Sequence, residues 1–178
     1  MMTLALLAAP ARPYSGLVRL LIDSVQNGAS VGFVPPLGEL EAQAYWRDVA
    51  ADLRSGTRLL LVASVGGEVA GAVQLALCEK KNGQHRAEVE KLMVHTTYRR
   101  QGIGDALMTG IECVARERSR TLLVLDTRCD DHASRLYRKR GFVEAGRIPG
   151  YALSASGRLE GTSYFYKQMS DAGSGEPA

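Results

Sequence analysis

From Thr57 to Val94 the sequence repeats one pattern: a short apolar run of strand length, then a turn signal. The runs are TRLLLVASV (57–65), EVAGAVQLALCE (68–79) and RAEVEKLMV (86–94). Gly66 and Gly67 join the first two, and KKNG leads into the third. Glycines between apolar runs mark hairpins, so the segment predicts a three-stranded antiparallel meander. The next strand-like run, TLLVLDT (121–127), is unbroken and apolar, and a helical segment separates it from the meander. Two strands joined by a helical crossover lie parallel. The chain must therefore form a mixed sheet, antiparallel on one side of this junction, in an α/β architecture.

The remaining elements fit around that sheet. MMTLALLAAPA predicts a first strand ending at Pro10; it lacks the positive flank of a signal peptide and is too short to span a membrane. Apolar residues at 17, 18, 21, 22 and 25 predict a helix that stops at Gly28, and ELEAQAYWRDVAADLRSG predicts a second, closed by Gly56. Ile103, Leu107, Ile111 and Val114 share one face of a third helix. DHASRLYRKRG is a short fourth helix, and FVEAGRIPGYAL and TSYFYKQM are closing strands. The order is βααβββαβαββ, about seven strands and about four helices in one domain over residues 1–170, with 171–178 as a flexible tail of small polar residues.

Composition narrows the function. A net charge of +3 spread over several segments, with 6% aromatic residues, does not make a nucleic-acid surface. Arg135, Arg138, Lys139 and Arg140 read as a solvated helix face. Three cysteines without a CxxC argue for a reducing, cytoplasmic setting. Cys78 and Cys113 are expected as small buried hydrophobes, and Cys129 with His132 lacks the second ligand pair that a metal site needs.

YRRQGIGDAL (98–107) sets Arg99 and Arg100 ahead of Gly102 and Gly104 at a helix start. A helix N-terminus exposes unpaired N–H groups and about half a positive charge, and a loop free of Cβ atoms lets an anion approach them. The segment is suited to phosphate. It is not a P-loop, since no lysine followed by Ser or Thr is present, and Leu107 holds the third glycine position of the dinucleotide fingerprint. Arg99-x-x-Gly102-x-Gly104 resembles the Q/R-x-x-G-x-G/A motif of the GNAT acetyltransferase superfamily. EVEKLMVHTTYRRQGIGDALM and ASRLYRKRGF extend that resemblance, as does the element order. NGASVGF, LCEKKNGQHRAEVEKLMV, LLVLDT and PGYALSASGRLEGTSYFYK further resemble the tabtoxin-resistance group within it, from about residue 20 to 169. Members of that group carry a proline near His95, where this chain has none.

The resemblance implies a GNAT-like fold with acetyl-CoA as cosubstrate, its pyrophosphate held around Arg99, Arg100, Gln101, Gly102, Ile103 and Gly104. It implies direct acetyl transfer to a primary amine of a small amino-acid-like molecule such as a toxin or antibiotic. The expected partner is thus a small-molecule amine, with no nucleic acid and no membrane; a homodimer stays open. A non-catalytic acyl-CoA sensor and a protein or peptide N-acetyltransferase are the alternatives.

Transfer to an amine needs a base, because an alkylamine of pKa near 10 is only about one part in a thousand neutral at pH 7. Carboxylates on core strands suit that task, since partial burial raises their pKa. Glu88 and Asp126 stand on strands that the crossover makes neighbours, and the resemblance makes them the catalytic pair. An ion pair for Glu88 and a capping role for Asp126 are the competing structural readings. Glu90 shares the face of Glu88 by strand period and is the second candidate base or a substrate contact. By resemblance, Val94, with Met93 beside it, offers an N–H to the developing oxyanion, and Tyr137 approaches the coenzyme A sulfur. GASVGF and PGYALSASGRL are expected to line the acceptor site, with Tyr151 as a contact.

Overall fold

The computed structural model describes residues 1–8 and 14–169. The expected strand end at Pro10 and the tail 171–178 lie outside the described residues. The elements are β1 (Met2–Leu7), α1 (Ser15–Gln26), α2 (Glu39–Ser55), β2 (Arg58–Val65), β3 (Glu68–Leu77), β4 (Arg86–Val94), α3 (Ile103–Glu117), β5 (Leu122–Arg128), α4 (His132–Lys139), β6 (Val143–Leu153) and β7 (Leu159–Gln168). This is the expected order, and β7 begins three residues earlier than its sequence signal. The seven strands form one sheet in the order β1-β2-β3-β4-β5-β7-β6, with β4 and β5 as its parallel pair.

Local chemistry explains the scaffold. Gly66 and Gly67 both take positive φ, 59° and 86°, which a two-residue turn between twisted strands requires. Strand alternation then divides the core between two faces. One face carries Leu59, Leu61, Val73, Leu75, Ala87 and Val89 beneath the Leu107, Met108 and Ile111 stripe of α3, with Tyr137 of α4 at its far end. The other carries Leu60, Val62 and Ala72 beneath α1 and α2, where Trp46 is fully buried. α1 and α2 pack on β2 to β4, whereas α4 packs on β5 and β6 from the opposite face.

Two departures from regular pairing shape the middle of the sheet. Between Ala72↔Met93 and Gln74↔Glu90 the register of β3 on β4 shifts by one residue, and Lys91 at the bulge has φ 52°. Pairing of β4 with β5 ends at Glu88↔Val124, although β4 runs on to Val94 and β5 to Arg128. The two strands diverge beyond that point and leave a wedge through the sheet.

Two expectations are corrected. Cys113 is exposed and Cys78 half-buried, because the buried stripe of α3 runs through 111, 112, 114 and 115 and leaves 113 facing out, while Cys78 falls just past the end of β3. Arg140 does not belong to a solvated face: it donates to Glu112 of α3 at 2.8 Å and to Asp105 at 3.1 Å. Glu112 also accepts from Lys167 of β7 at 2.8 Å, so a buried carboxylate locks α3, α4 and the sheet together.

Candidate active site

The first part of the site is the start of α3. Gly102 is its N-cap with φ 78°, and no side chain among the described residues caps the first-turn amides. A Cβ at Gly102 would meet nothing within 4 Å, and one at Gly104 would make only ordinary contacts with Leu136 and Val94, at 3.6 and 3.8 Å. Alanine would favour a helix at position 104 by about 1 kcal/mol, and the protein's own packing does not exclude it. The glycine leaves the space in front of the helix open. Arg99, Arg100 and Gln101 are exposed around that space. The Arg99 Nε donates to the Val94 carbonyl at 3.3 Å and Gln101 Nε2 to the Thr97 carbonyl at 3.3 Å. Ile103 is core through its side chain, so it can offer only main chain.

The second part is the wedge. His95 N–H donates to the Ala70 carbonyl at 2.9 Å, which makes that pair the hydrogen-bonded one. Antiparallel pairs alternate, so the Gly71↔Val94 pair is the non-bonded one and the Val94 N–H points away from β3, into the gap beside β5. The Met93 side chain is buried beneath α1 and α2, so only its main chain is available to the gap.

The third part is a cleft of about 400 Å³ that passes through the wedge. Glu88, Glu90 and Asp126 line it from the α1/α2 face, Tyr137 from the α4 face, and the segments 28–33 and 151–155 wall it. Glu88 has no hydrogen bond or ion pair among the described residues. Burial, with the Glu90 and Asp126 carboxylates beside it, pushes its carboxyl above the ordinary glutamate range. Asp126 accepts from the buried Thr162 hydroxyl at 2.7 Å. Glu90 is held by Arg58, which also donates to Gln74 at 2.8 Å, and Gln74 donates to Tyr45 at 2.8 Å. Tyr137 is 6% exposed, and its hydroxyl makes no hydrogen bond among the described residues. Burial, reinforced by Asp131 and Asp126, pushes its phenol well above 10. Tyr151 is half exposed and shares a 2.8 Å hydrogen bond with the Tyr164 hydroxyl.

Two half-sites therefore meet at the gap: an uncapped helix start with arginines on one side, and an acidic cleft on the other. Residues 23–142 match the family described as the acetyltransferase (GNAT) family. The chain belongs to this family. It is 32% identical over 126 residues to N-acetyltransferase family 8 member 2 of Rattus norvegicus, a match covering 70% of this chain. The match covers 54% of that protein, so the chain spans about half its length. Its fold is similar to that of ribosomal-protein-alanine N-acetyltransferase from Brucella melitensis, with TM-score 0.77 and 24% identity over 93% of this chain and 99% of that one. It is also similar to that of yncA from Salmonella typhimurium, solved with its cofactor acetyl-CoA, with TM-score 0.78 and 18% identity over 100% and 99% of the two chains. At these identities the structural likeness is one of fold.

Members of the GNAT family use acetyl-CoA as cosubstrate, and the residues here fit it. The uncapped amides of α3 with Arg99 and Arg100 suit a diphosphate. Among the described residues no helix is long and apolar enough to cross a membrane.

The structure brings Glu88, Glu90, Asp126, Tyr137 and Tyr151 to one cleft; the 99–104 loop leads into α3 and is not among the residues that line it. Sequence reasoning missed three contributors. Thr162 holds Asp126, and Arg58 occupies Glu90. Asp23 of α1 ties down the loop, accepting from the Thr96 N–H at 2.9 Å and the Thr96 hydroxyl at 2.7 Å. None of the three has a local signal, because each acts on a residue more than 30 positions away.

Proposed function

We propose that this acetyltransferase moves the acetyl group of acetyl-CoA directly to the amine of a small amino-acid-like molecule, with a toxin or antibiotic of the tabtoxin type as the candidate acceptor. The observation that carries this reading is Glu88, a half-buried carboxylate with no hydrogen bond or ion pair among the described residues, at the point where β4 and β5 part. A base of raised pKa there takes the proton of an acceptor ammonium, directly or through water, at neutral pH. Asp126, oriented by Thr162, positions that water or the ammonium. Acetyl-CoA supplies an activated acetyl group when bound, and the amides at the start of α3 hold its diphosphate. The Val94 N–H faces the oxygen on which negative charge develops. The Tyr137 hydroxyl, protonated at neutral pH and without a hydrogen bond among the described residues, donates to the departing sulfur. Glu90 and Tyr151 wall the acceptor side. A cleft of about 400 Å³ matches a small molecule.

The test is thiol release from acetyl-CoA with a panel of amines, amino acids, β-lactam amino acids and peptides. Glu88→Gln should lower kcat/KM by roughly 10²–10⁴-fold and leave the calorimetric Kd for acetyl-CoA within about two-fold of wild type. Acetyl-CoA binding without thiol release from any acceptor would replace the enzyme with a sensor.

A further inference from the structure

Among the described residues seven charged side chains line the cleft, and five of them are already committed. Glu90 is paired with Arg58, and Arg128 with Glu160 at 3.4 Å. Asp126 accepts from Thr162. Asp131 caps α4, accepting the Ser134 N–H at 3.0 Å and the Thr127 hydroxyl at 3.0 Å. The two left without a hydrogen bond or ion pair among the described residues are one anion, Glu88, and one cation, Lys91. A cleft that keeps one charge of each sign unspent is complementary to a molecule carrying both.

A bulge in β4 places Lys91 there. It is the αL residue of the β4 bulge, at φ 52°, a conformation that costs a residue with a Cβ and that glycine or asparagine would adopt more readily. Bulges beside active sites re-aim a side chain. This one aims the ammonium across the cleft to the α1–α2 loop, where a Cβ on Gly32 would lie 3.3 Å from the Nζ. Glycine at position 32, itself at φ 83°, leaves the ammonium uncovered.

We propose that Lys91 is the acceptor's carboxylate anchor, so that the enzyme selects a free amino acid or amino-acid analogue whose amine lies at Glu88 and whose carboxylate lies at Lys91. This rests on the acetyltransferase reading above and adds the charge pattern of its acceptor. It sets this site apart from one for a protein N-terminus, whose first residue has no free carboxylate.

The experiment measures kcat/KM, by thiol release, for the twenty L-amino acids, their carboxamides, and short peptides blocked as C-terminal amides. Wild type should favour the free acid over its amide by about 10- to 100-fold, the range expected of one charge-assisted contact. In Lys91→Met the acid-to-amide ratio should fall below about two, through a rise in KM for the acid, and Lys91→Arg should restore most of the preference. Lys91→Gly, which suits the backbone at this position, should give the same loss of ratio if the methionine variant folds poorly. Equal use of acids and amides by wild type, or an undiminished ratio in both variants that lack the ammonium, would overturn the proposal and leave the acetyltransferase intact. Absence of thiol release with every amine would overturn the acetyltransferase reading, and this proposal with it.

Discussion

Asp23 connects the two halves of the site, and removing it has a calculable effect. Thr96 opens the turn at 96–98, a position where proline is at home because its missing N–H would have no helical partner. His95 ahead of it has φ −55° and ψ 137°, the extended conformation that precedes a proline. No proline stands near His95, and Asp23 satisfies the Thr96 N–H and fixes the approach of the loop. Hydrogen bonds to a charged acceptor contribute roughly 1.5–3 kcal/mol each, so the two made by Asp23 carry about 3–6 kcal/mol. The backbone bonds of His95 N–H to Ala70 and of Tyr98 N–H to His95 survive the substitution Asp23→Ala. Charging half of the smaller figure to loop order leaves about 1.5 kcal/mol, after some rehydration of the Thr96 groups. Because the competent fraction of the loop enters the apparent Kd directly, acetyl-CoA should bind about 10-fold more weakly. Isothermal titration of acetyl-CoA into each protein measures this. The double variant Asp23→Ala/Thr96→Pro has no amide left to orphan and a stiffer turn, and should return to within about five-fold of wild type. A Kd for Asp23→Ala within two-fold of wild type, or a double variant weaker than Asp23→Ala alone, would refute the claim that Asp23 sets the loop.

Tyr137→Phe should lower kcat by about 10- to 100-fold, less than loss of the base, because a thiolate can leave unprotonated. Stopped-flow thiol release at saturating acetyl-CoA reads this directly. The acid limb of kcat/KM in wild type should lie above the ordinary glutamate pKa, since burial and two neighbouring carboxylates favour the protonated form of Glu88, and Glu88→Gln should abolish that limb in a pH–rate profile. Burial alone would raise the Glu112 carboxyl, but hydrogen bonds from Arg140 and Lys167 outweigh it and hold the carboxyl below its usual value. Its contribution to stability is therefore complete above the unfolded-state pKa and is lost as pH falls through the lower folded value. Glu112→Gln should cost roughly 3 kcal/mol at pH 7, or about 6–12 °C in Tm, and the gap to wild type should narrow in acid.

What was legible in the sequence was local or topological. Gly66–Gly67, the period of two in β2 to β4 and the length of the crossover each specify their element without reference to the rest of the chain, and the glycine loop announces its helix start. What was not legible is what depends on a distant partner or on its absence. The wedge is the absence of pairing beyond Glu88↔Val124, and no residue type encodes a pairing that does not form. Arg140 looked solvated because its partners lie 28 and 35 positions away. The clue lay in α3, where Glu112 falls four residues after Met108 and three before Ala115, on the apolar stripe. A carboxylate on such a stripe demands a cation from elsewhere.

The bulge at Lys91 also had a trace in the sequence, and its energetics show why it forms. Ala87 and Val89 point to the α3 core, and strict alternation would send Lys91 and Met93 after them, putting an ammonium without a partner beneath α3. An unpaired buried charge costs several kcal/mol even after relaxation. One αL lysine costs roughly 1–2 kcal/mol. The cheaper solution is to insert Lys91 as an extra residue, after which Leu92 and Val94 take the α3 side and Met93 fills the core under α1 and α2. The same slip decides which backbone groups of β4 face the gap: it sets the pair at Val94 one step out of phase with the pairs below Glu90, so that the Val94 N–H is turned away from β3. A single inserted residue thus sends a cation toward the α1–α2 loop and turns a donor into the gap beside β5. The hydrophobic pattern that forces the slip is sufficient to explain why both lie at the same opening.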